Sequence, residues 1–354
     1  MNEAPPFWYR RRGVAAFALA PAGWLYGRLA ARRLTVTPRY ASRLPVLCVG
    51  NFIVGGAGKT PTALALARVA REIGLRPAFL SRGYGGSISR PTRVDKTVHN
   101  ARDVGDEPLL LALAAPTFVS PDRPAGARAI EETGEADIII MDDGLQNPSL
   151  VRDTVLGVID ARRGFGNGFP MPAGPLRATL RPQLAAANAL LLIGRSQAGV
   201  AAVRMGARMA KPVLEAAIRP REGHELEGVR AFAYSGIADA AKFHVSLEEA
   251  GAEIVDRRDF GDHHLFSAQD CREVLQQAQM LNLTPVTTEK DWARLVRMGE
   301  AQEELRAASL ALPIELVFEN RKMAQFLVRE TVRRAEQRRS RGRAGDPRAG
   351  TAAG

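Results

Sequence analysis

Gly58-Lys59-Thr60 closes the stretch VGGAGKTP, residues 54–61, and that order of residues grips phosphate. In the usual phosphate-binding loop, G-x-x-x-x-G-K-[ST], the first glycine falls where this chain has Ile53. The physics survives the displacement, because the cradle needs permissive backbone near the lysine. Gly55, Gly56 and Gly58 let N–H groups turn inward at a helix N-terminus that already favours anions. The expected cradle covers Ile53, Val54, Gly55, Gly56, Ala57, Gly58, Lys59 and Thr60. In this reading Lys59 reaches the terminal phosphates of a nucleotide and Thr60 binds Mg²⁺. The bland alternative is a glycine-rich turn that only resembles a nucleotide site.

Such a loop wants a carboxylate at the end of a neighbouring strand to hold the metal. IIIMDDG supplies Asp142 and Asp143 there. A turn built on Asp-Gly explains Asp143-Gly144 but not the pair. In VGDEP, Asp106 and Glu107 stand immediately before Pro108. Asp106 reads either as a helix cap or as the general base for an alcohol, and spacing does not separate the two. FGDHHLF gathers Asp262, His263 and His264. Adjacent histidines point apart on a strand and no third ligand follows, so zinc is a poor fit. The remaining readings are a polar turn and a histidine oriented by a carboxylate.

The elements that must position these groups alternate. PVLCVGN, PAFLS, TFVS, ADIIIMDDG and TVLGVID read as strands, with helices between them. Apolar strands alternating with helices give a mostly parallel sheet covered on both faces, an α/β fold like that of nucleotide-hydrolysing P-loop proteins. Residues 161–182 form a long Gly-, Pro- and Arg-rich loop, a length that usually signals function. A polar hinge over 219–228 leads to a second, smaller α/β unit. The expected division is 1–40 N-terminal amphipathic helix, 41–218 nucleotide domain, 219–332 second domain and 333–354 basic disordered tail.

The net charge of +11 is concentrated at the ends. Residues 1–43 carry eight arginines against one acid, and 333–354 carry seven against two, which leaves the body close to neutral. A nucleic-acid groove needs its own basic stripe, so no specific nucleic-acid partner is expected. The two cysteines, Cys48 and Cys271, lie far apart, which argues against a disulfide framework. Near the N-terminus, residues 13–27 carry no charge. Fifteen residues are too few to span a bilayer and Pro21 interrupts them. Flanking arginines with Trp8 and Tyr9 suit a helix lying in a membrane interface, and packing on the protein's own core suits it equally.

GNFIVGGAGKTP, SRGYGG, DVGDEPLLLA, DDGLQ, PAGPLR, FGDHHLF and TTEKD occur in that order, and in this the chain resembles the tetraacyldisaccharide 4'-kinases over about residues 7–330. The resemblance implies transfer of the γ-phosphoryl group of ATP, with Mg²⁺, to the 4'-hydroxyl of a lipid A precursor disaccharide, at the cytoplasmic face of the bacterial inner membrane. It implies that Lys59 and Thr60 hold phosphates and metal, and that Asp142 holds the metal. It makes Asp106 the catalytic carboxylate with His263 as partner, and puts Asn167 and Arg177 in the substrate region. A lipid acceptor favours the interfacial reading of the N-terminal helix. The family usually follows PAGPLR with glutamate; this chain has Ala178. The competing expectation is a membrane-associated P-loop ATPase switch with no small-molecule acceptor.

Overall fold

The computed structural model describes residues 4–221 and 226–344. After a 3₁₀ turn (Pro6–Tyr9) come α1 (Val14–Arg33), β1 (Val46–Asn51), α2 (Lys59–Glu72), β2 (Pro77–Ser81) and β3 (Thr92–Arg93). Then follow α3 (Ala101–Val104), α4 (Asp106–Ala112), β4 (Thr117–Val119), α5 (Arg123–Thr133), β5 (Ile138–Asp142) and β6 (Thr154–Asp160). The first unit continues through α6 (Leu180–Ala186), β7 (Ala189–Ile193), α7 (Gln197–Arg208) and β8 (Val213–Pro220). The second comprises β9 (Arg230–Ser235), α8 (Ala240–Glu249), β10 (Glu253–Asp259), α9 (Ala268–Met280), β11 (Thr284–Thr288), α10 (Glu289–Arg294), α11 (Glu300–Ala308) and β12 (Leu310–Leu312). β13 (Ile314–Phe318) and α12 (Arg321–Ala344) close the described chain.

Among the described residues, one sheet runs β13-β8-β7-β6-β1-β5-β2-β4-β3 and the other β10-β9-β11-β12. In the large sheet only β13 on β8 and β3 on β4 pair antiparallel. Its central strands are buried on both faces, as the uninterrupted apolar runs require. β1 lies between β5 and β6, with Val49 opposite Asp142. The loop after β1 and the acids ending β5 therefore emerge side by side at the carboxyl edge, where open α/β sheets bind ligands. Helix α2 covers the sheet with small side chains, Ala63, Ala67 and Ala70, beside Leu66.

Three boundaries differ from the expected division. β8 runs on to Pro220, so the first unit extends past 218. Residues 222–225 of the expected hinge lie outside the described residues. The stretch expected to finish the second domain instead returns to the first: β13 pairs with β8, from Ile314 opposite Pro220 to Phe318 opposite Ala216. The basic tail expected from residue 333 is helical as far as Ala344, and residues 345–354 lie outside the described residues. A sparse stripe of Ala324, Leu327, Val328, Thr331 and Ala335 buries one face of α12, and Arg338 binds both oxygens of Asp153. Alanine, arginine and glutamate are good helix formers, so a charged composition does not exclude a docked helix.

Helix α1 passes through Pro21 without breaking. At twenty residues it is long and apolar enough, by length and composition, to cross a membrane, which corrects the fifteen-residue expectation. One flank is nonetheless held by the body. A Cβ on Gly27 would lie 2.5 Å from the Pro170 ring, so only glycine allows this approach. Phe17 meets Phe169 edge to face, and the Trp8 indole donates to the Pro172 carbonyl at 3.0 Å. The opposite flank exposes Val14, Leu25 and Leu29.

Candidate active site

The loop after β1 is shaped locally. Asn51 donates to the carbonyls of Ile53 (2.8 Å) and Gly55 (3.2 Å), folding the chain back on itself. Gly58, at φ 84°, stands in the left-handed region immediately before α2, and this turns the loop into the helix. The 169–177 segment braces the loop from outside: Val54 N–H donates to Pro175, and Arg177 N–H donates to Phe52. Lys59 and Thr60 open α2 and are both buried. The expected cradle residues from Ile53 to Thr60 thus form one continuous strand–loop–helix turn.

The two strand-end acids have different surroundings. Asp143, at φ 52°, takes Arg177 Nη1 on both oxygens (3.0 and 3.1 Å) and stands 3.8 Å from Lys59 Nζ. Burial would raise its pKa, but Lys59 and Arg177 outweigh it and hold the carboxyl below its ordinary range. Asp142 Oδ2 accepts from Thr60 Oγ1 at 3.3 Å, while Oδ1 is buried and without a hydrogen-bond partner. Burial, followed by the nearby Glu107 charge, pushes Asp142 up to about 7. One acid is committed to the protein; the other is an under-neutralised carboxylate with a vacant oxygen.

Asp106 begins α4 and faces the second unit. Its Oδ1 accepts the N–H of the next residue, Glu107, at 2.8 Å, but the residue that caps α4 is Gly105 and no side chain caps the helix, so the cap reading does not hold. Its Oδ2 meets His263 Nδ1 at 3.1 Å, Arg294 Nε at 2.8 Å and Nη2 at 2.5 Å, and Lys290 Nζ at 3.5 Å. Burial works against the charge here, but Lys290, the His263 hydrogen bond and Arg294 prevail and keep the carboxyl far below the usual range. His263 sits in a left-handed turn after β10, its N–H on the Gly236 carbonyl, and Tyr84 stands edge-on to its ring at 5.9 Å. Lys290 also pairs with Glu107 at 3.4 Å. Glu107 is in turn close enough to Asp142 for its charge to be felt there, which links the start of α4 with the acids ending β5.

Asn167 and Arg177 are oriented inward. The Asn167 amide donates to the Ala173 carbonyl at 2.9 Å and accepts the Phe169 N–H at 3.0 Å, shaping its own loop. Arg177 ties Asp143 to the Ile53 carbonyl, 3.1 Å from its Nε. Ala178, where the resemblance leads one to expect glutamate, is fully buried and its carbonyl accepts from Gln183 at 2.7 Å. Three residues were given no role from sequence. Lys290 lies inside the TTEKD motif and Arg294 three positions beyond its end. Arg123 is a buried cation at the start of α5, close enough to Asp142 and Asp143 to feel their charge, and it carries no sequence signal.

Residues 15–332 match the family described as tetraacyldisaccharide-1-P 4'-kinase. The chain is 50% identical over 324 residues to the tetraacyldisaccharide 4'-kinase of Allorhizobium ampelinum, covering 90% of this chain and 94% of that protein. It is 46% identical over 343 residues to that of Rhizobium meliloti, covering 97% and 99%. The crystal structure of "apo" form LpxK from Aquifex aeolicus in complex with ATP superposes with a TM-score of 0.69 at 22% identity, covering 90% of this chain and 99% of that one.

Proposed function

This chain belongs to the tetraacyldisaccharide-1-P 4'-kinase family, and we propose that it transfers the γ-phosphoryl group of ATP to the 4'-hydroxyl of a tetraacyldisaccharide 1-phosphate. The observation that carries the reading is the Asp106–His263 pair spanning the two units beside a phosphate loop. Phosphoryl transfer needs alignment and charge neutralisation more than covalent help. The Gly55–Gly58 backbone and the α2 N-terminus receive the phosphates, and Lys59 neutralises the terminal ones. Asp106 accepts the proton of the attacking hydroxyl as the new O–P bond forms and ADP leaves. His263 orients that carboxylate. Arg177 and Asn167 fix the loop walls against which the disaccharide is held.

The residues present fit Mg²⁺. No group of three or more His, Cys, Asp or Glu able to hold a metal occurs among the described residues. The oxygen donors are Thr60 and the unpartnered Oδ1 of Asp142, and Mg²⁺ is commonly bound through one or two carboxylates with substrate phosphates and water completing its shell. When bound, the ion would supply charge neutralisation at the nucleotide phosphates. Chelation with EDTA is therefore expected to abolish transfer, and added Mg²⁺ to restore it; transfer that persists in EDTA would remove the metal from the reading.

The test of the reading is the fate of label from γ-labelled ATP incubated with a bacterial lipid extract. Label entering the lipid phase supports the kinase. Label appearing only as free phosphate supports a nucleotide switch and contradicts it.

The exposed flank of α1 is the surface that meets the lipid. Since the other flank is docked on residues 169–179, the helix lies in the membrane interface at the cytoplasmic face of the inner membrane rather than crossing it. Replacing both Leu25 and Leu29 with glutamate removes apolar contact without touching the docked flank. Burial of one large side chain is worth ~1.5–3 kcal/mol, so partitioning into anionic vesicles is expected to drop at least ~10-fold. Unchanged partitioning of the folded double variant would move the membrane contact elsewhere.

A further inference from the structure

We propose that Arg294 is a positioning residue of the phosphoryl-transfer site, carrying the Asp106 carboxylate across the interface between the two units and determining which of its oxygens faces the acceptor. The inference rests on the kinase reading above and concerns a residue to which that reading gives no part.

Arg294 is 2% exposed, and its planar fork is divided between two tasks. Nη1 belongs to the second unit: it donates to the Gly236 carbonyl at 2.6 Å and pairs with Asp291. Asp291 is itself fixed, accepting from Thr288 Oγ1 at 2.7 Å and from the Gly236 N–H at 3.0 Å. The guanidinium is thus aimed by its own unit. Nε and Nη2 project from it and converge on one atom of the first unit, Asp106 Oδ2. A lysine could supply the charge at this place but not the two-pronged geometry.

The consequence lies in how the carboxylate is shared. His263 addresses the same Oδ2, and Lys290 approaches it as well. That oxygen is crowded with donors. Oδ1 accepts the Glu107 N–H from within its own helix start. An ionised carboxylate has about two lone-pair positions per oxygen, which leaves Oδ1 with acceptor capacity to spare. Oδ1 is therefore the oxygen that receives the hydroxyl proton, and Arg294 is the group that turns it outward. Because Arg294 is preset by Asp291 and Gly236, the orientation is imposed whenever the units are together.

The experiment compares Arg294→Gln and Arg294→Lys with wild type, in the full-length protein and again on an Asp106→Asn background. It reads kcat and KM for ATP with tetraacyldisaccharide 1-phosphate, along with the thermal midpoint. Misplacing a reacting group by about an ångström can cost ~10²-fold. Arg294→Gln is expected to lower kcat by about that factor with KM for ATP unchanged. Arg294→Lys retains the charge and recovers part of the loss. On Asp106→Asn, Arg294→Gln should add less than ~2-fold, since both act through one carboxylate. A folded Arg294→Gln protein with wild-type kcat, or a loss that multiplies in full on Asp106→Asn, overturns the proposal. If Arg294→Gln does not fold, Arg294→Lys decides: lowered kcat at unchanged KM supports the role, and full kcat overturns it. Wild-type protein that leaves the disaccharide unphosphorylated would instead strike at the kinase reading itself.

Discussion

Asp106→Ala and His263→Ala are expected each to slow phosphoryl transfer, and the double variant to be hardly slower than the worse single. Proton transfer by a positioned side chain is worth ~10²–10⁴ in rate, and members of one catalytic unit are non-additive. The structure adds a stability cost to the first variant. Asp106 faces Arg294, which is almost wholly buried, and losing one partner of a buried pair typically costs ~3–5 kcal/mol. Asp291 still holds Arg294, so the lower end of that range is expected. Asp106→Asn keeps an acceptor there and separates the two effects: kcat falls while the thermal midpoint shifts less. The sign of the pH effect follows from the depressed carboxyl. Its contribution to the interface is complete above about pH 4, the unfolded value, and is lost as pH falls below that. Multiplicative losses in the double variant would show that the residues act separately. Full kcat with a lowered midpoint for Asp106→Asn would reduce Asp106 to an interface contact.

Lys59→Ala is expected to lower kcat by ~10²–10³, the usual cost of one preorganised charge-stabilising group, with the fold kept. Lys59 is buried and faces Asp143. The fold should still survive, because Asp143 retains Arg177 on both oxygens when Lys59 is gone. The measurement is kcat and nucleotide affinity beside a thermal melt. Undiminished transfer by a folded Lys59→Ala protein would remove the nucleotide from this loop.

What could be read from sequence was what is local. A strand, a glycine turn and a helix opening on Lys-Thr occupy contiguous residues, and Asp142 marks the end of an apolar run. Their meeting follows from strand order, because β1 and β5 are neighbours in the sheet. Asp106 is ambiguous in the sequence because an acid before a helical run is also what a cap looks like; in the fold Gly105 takes the cap position and one Asp106 oxygen crosses the interface. Arg294 was illegible because its partner is 188 residues away in the other unit, and no period or spacing records such a pair. The C-terminal helix is hidden in the sequence for a compositional reason. Its buried stripe is mostly small or isolated apolar residues among arginines, too thin to register as an amphipathic pattern. The return of β13 was likewise hidden, since PIELVF is an ordinary strand whose partner only the fold reveals.

The most direct measurement is the structure of the product. Purified protein, ATP, Mg²⁺ and synthetic tetraacyldisaccharide 1-phosphate are incubated, and the recovered lipid is examined by phosphorus NMR and mass spectrometry. The account predicts one added phosphate as a monoester on the 4'-oxygen, giving a 1,4'-bisphosphate, with ADP formed in equal amount. A pyrophosphate at the 1-position, or ADP and free phosphate with the lipid unchanged, would contradict it.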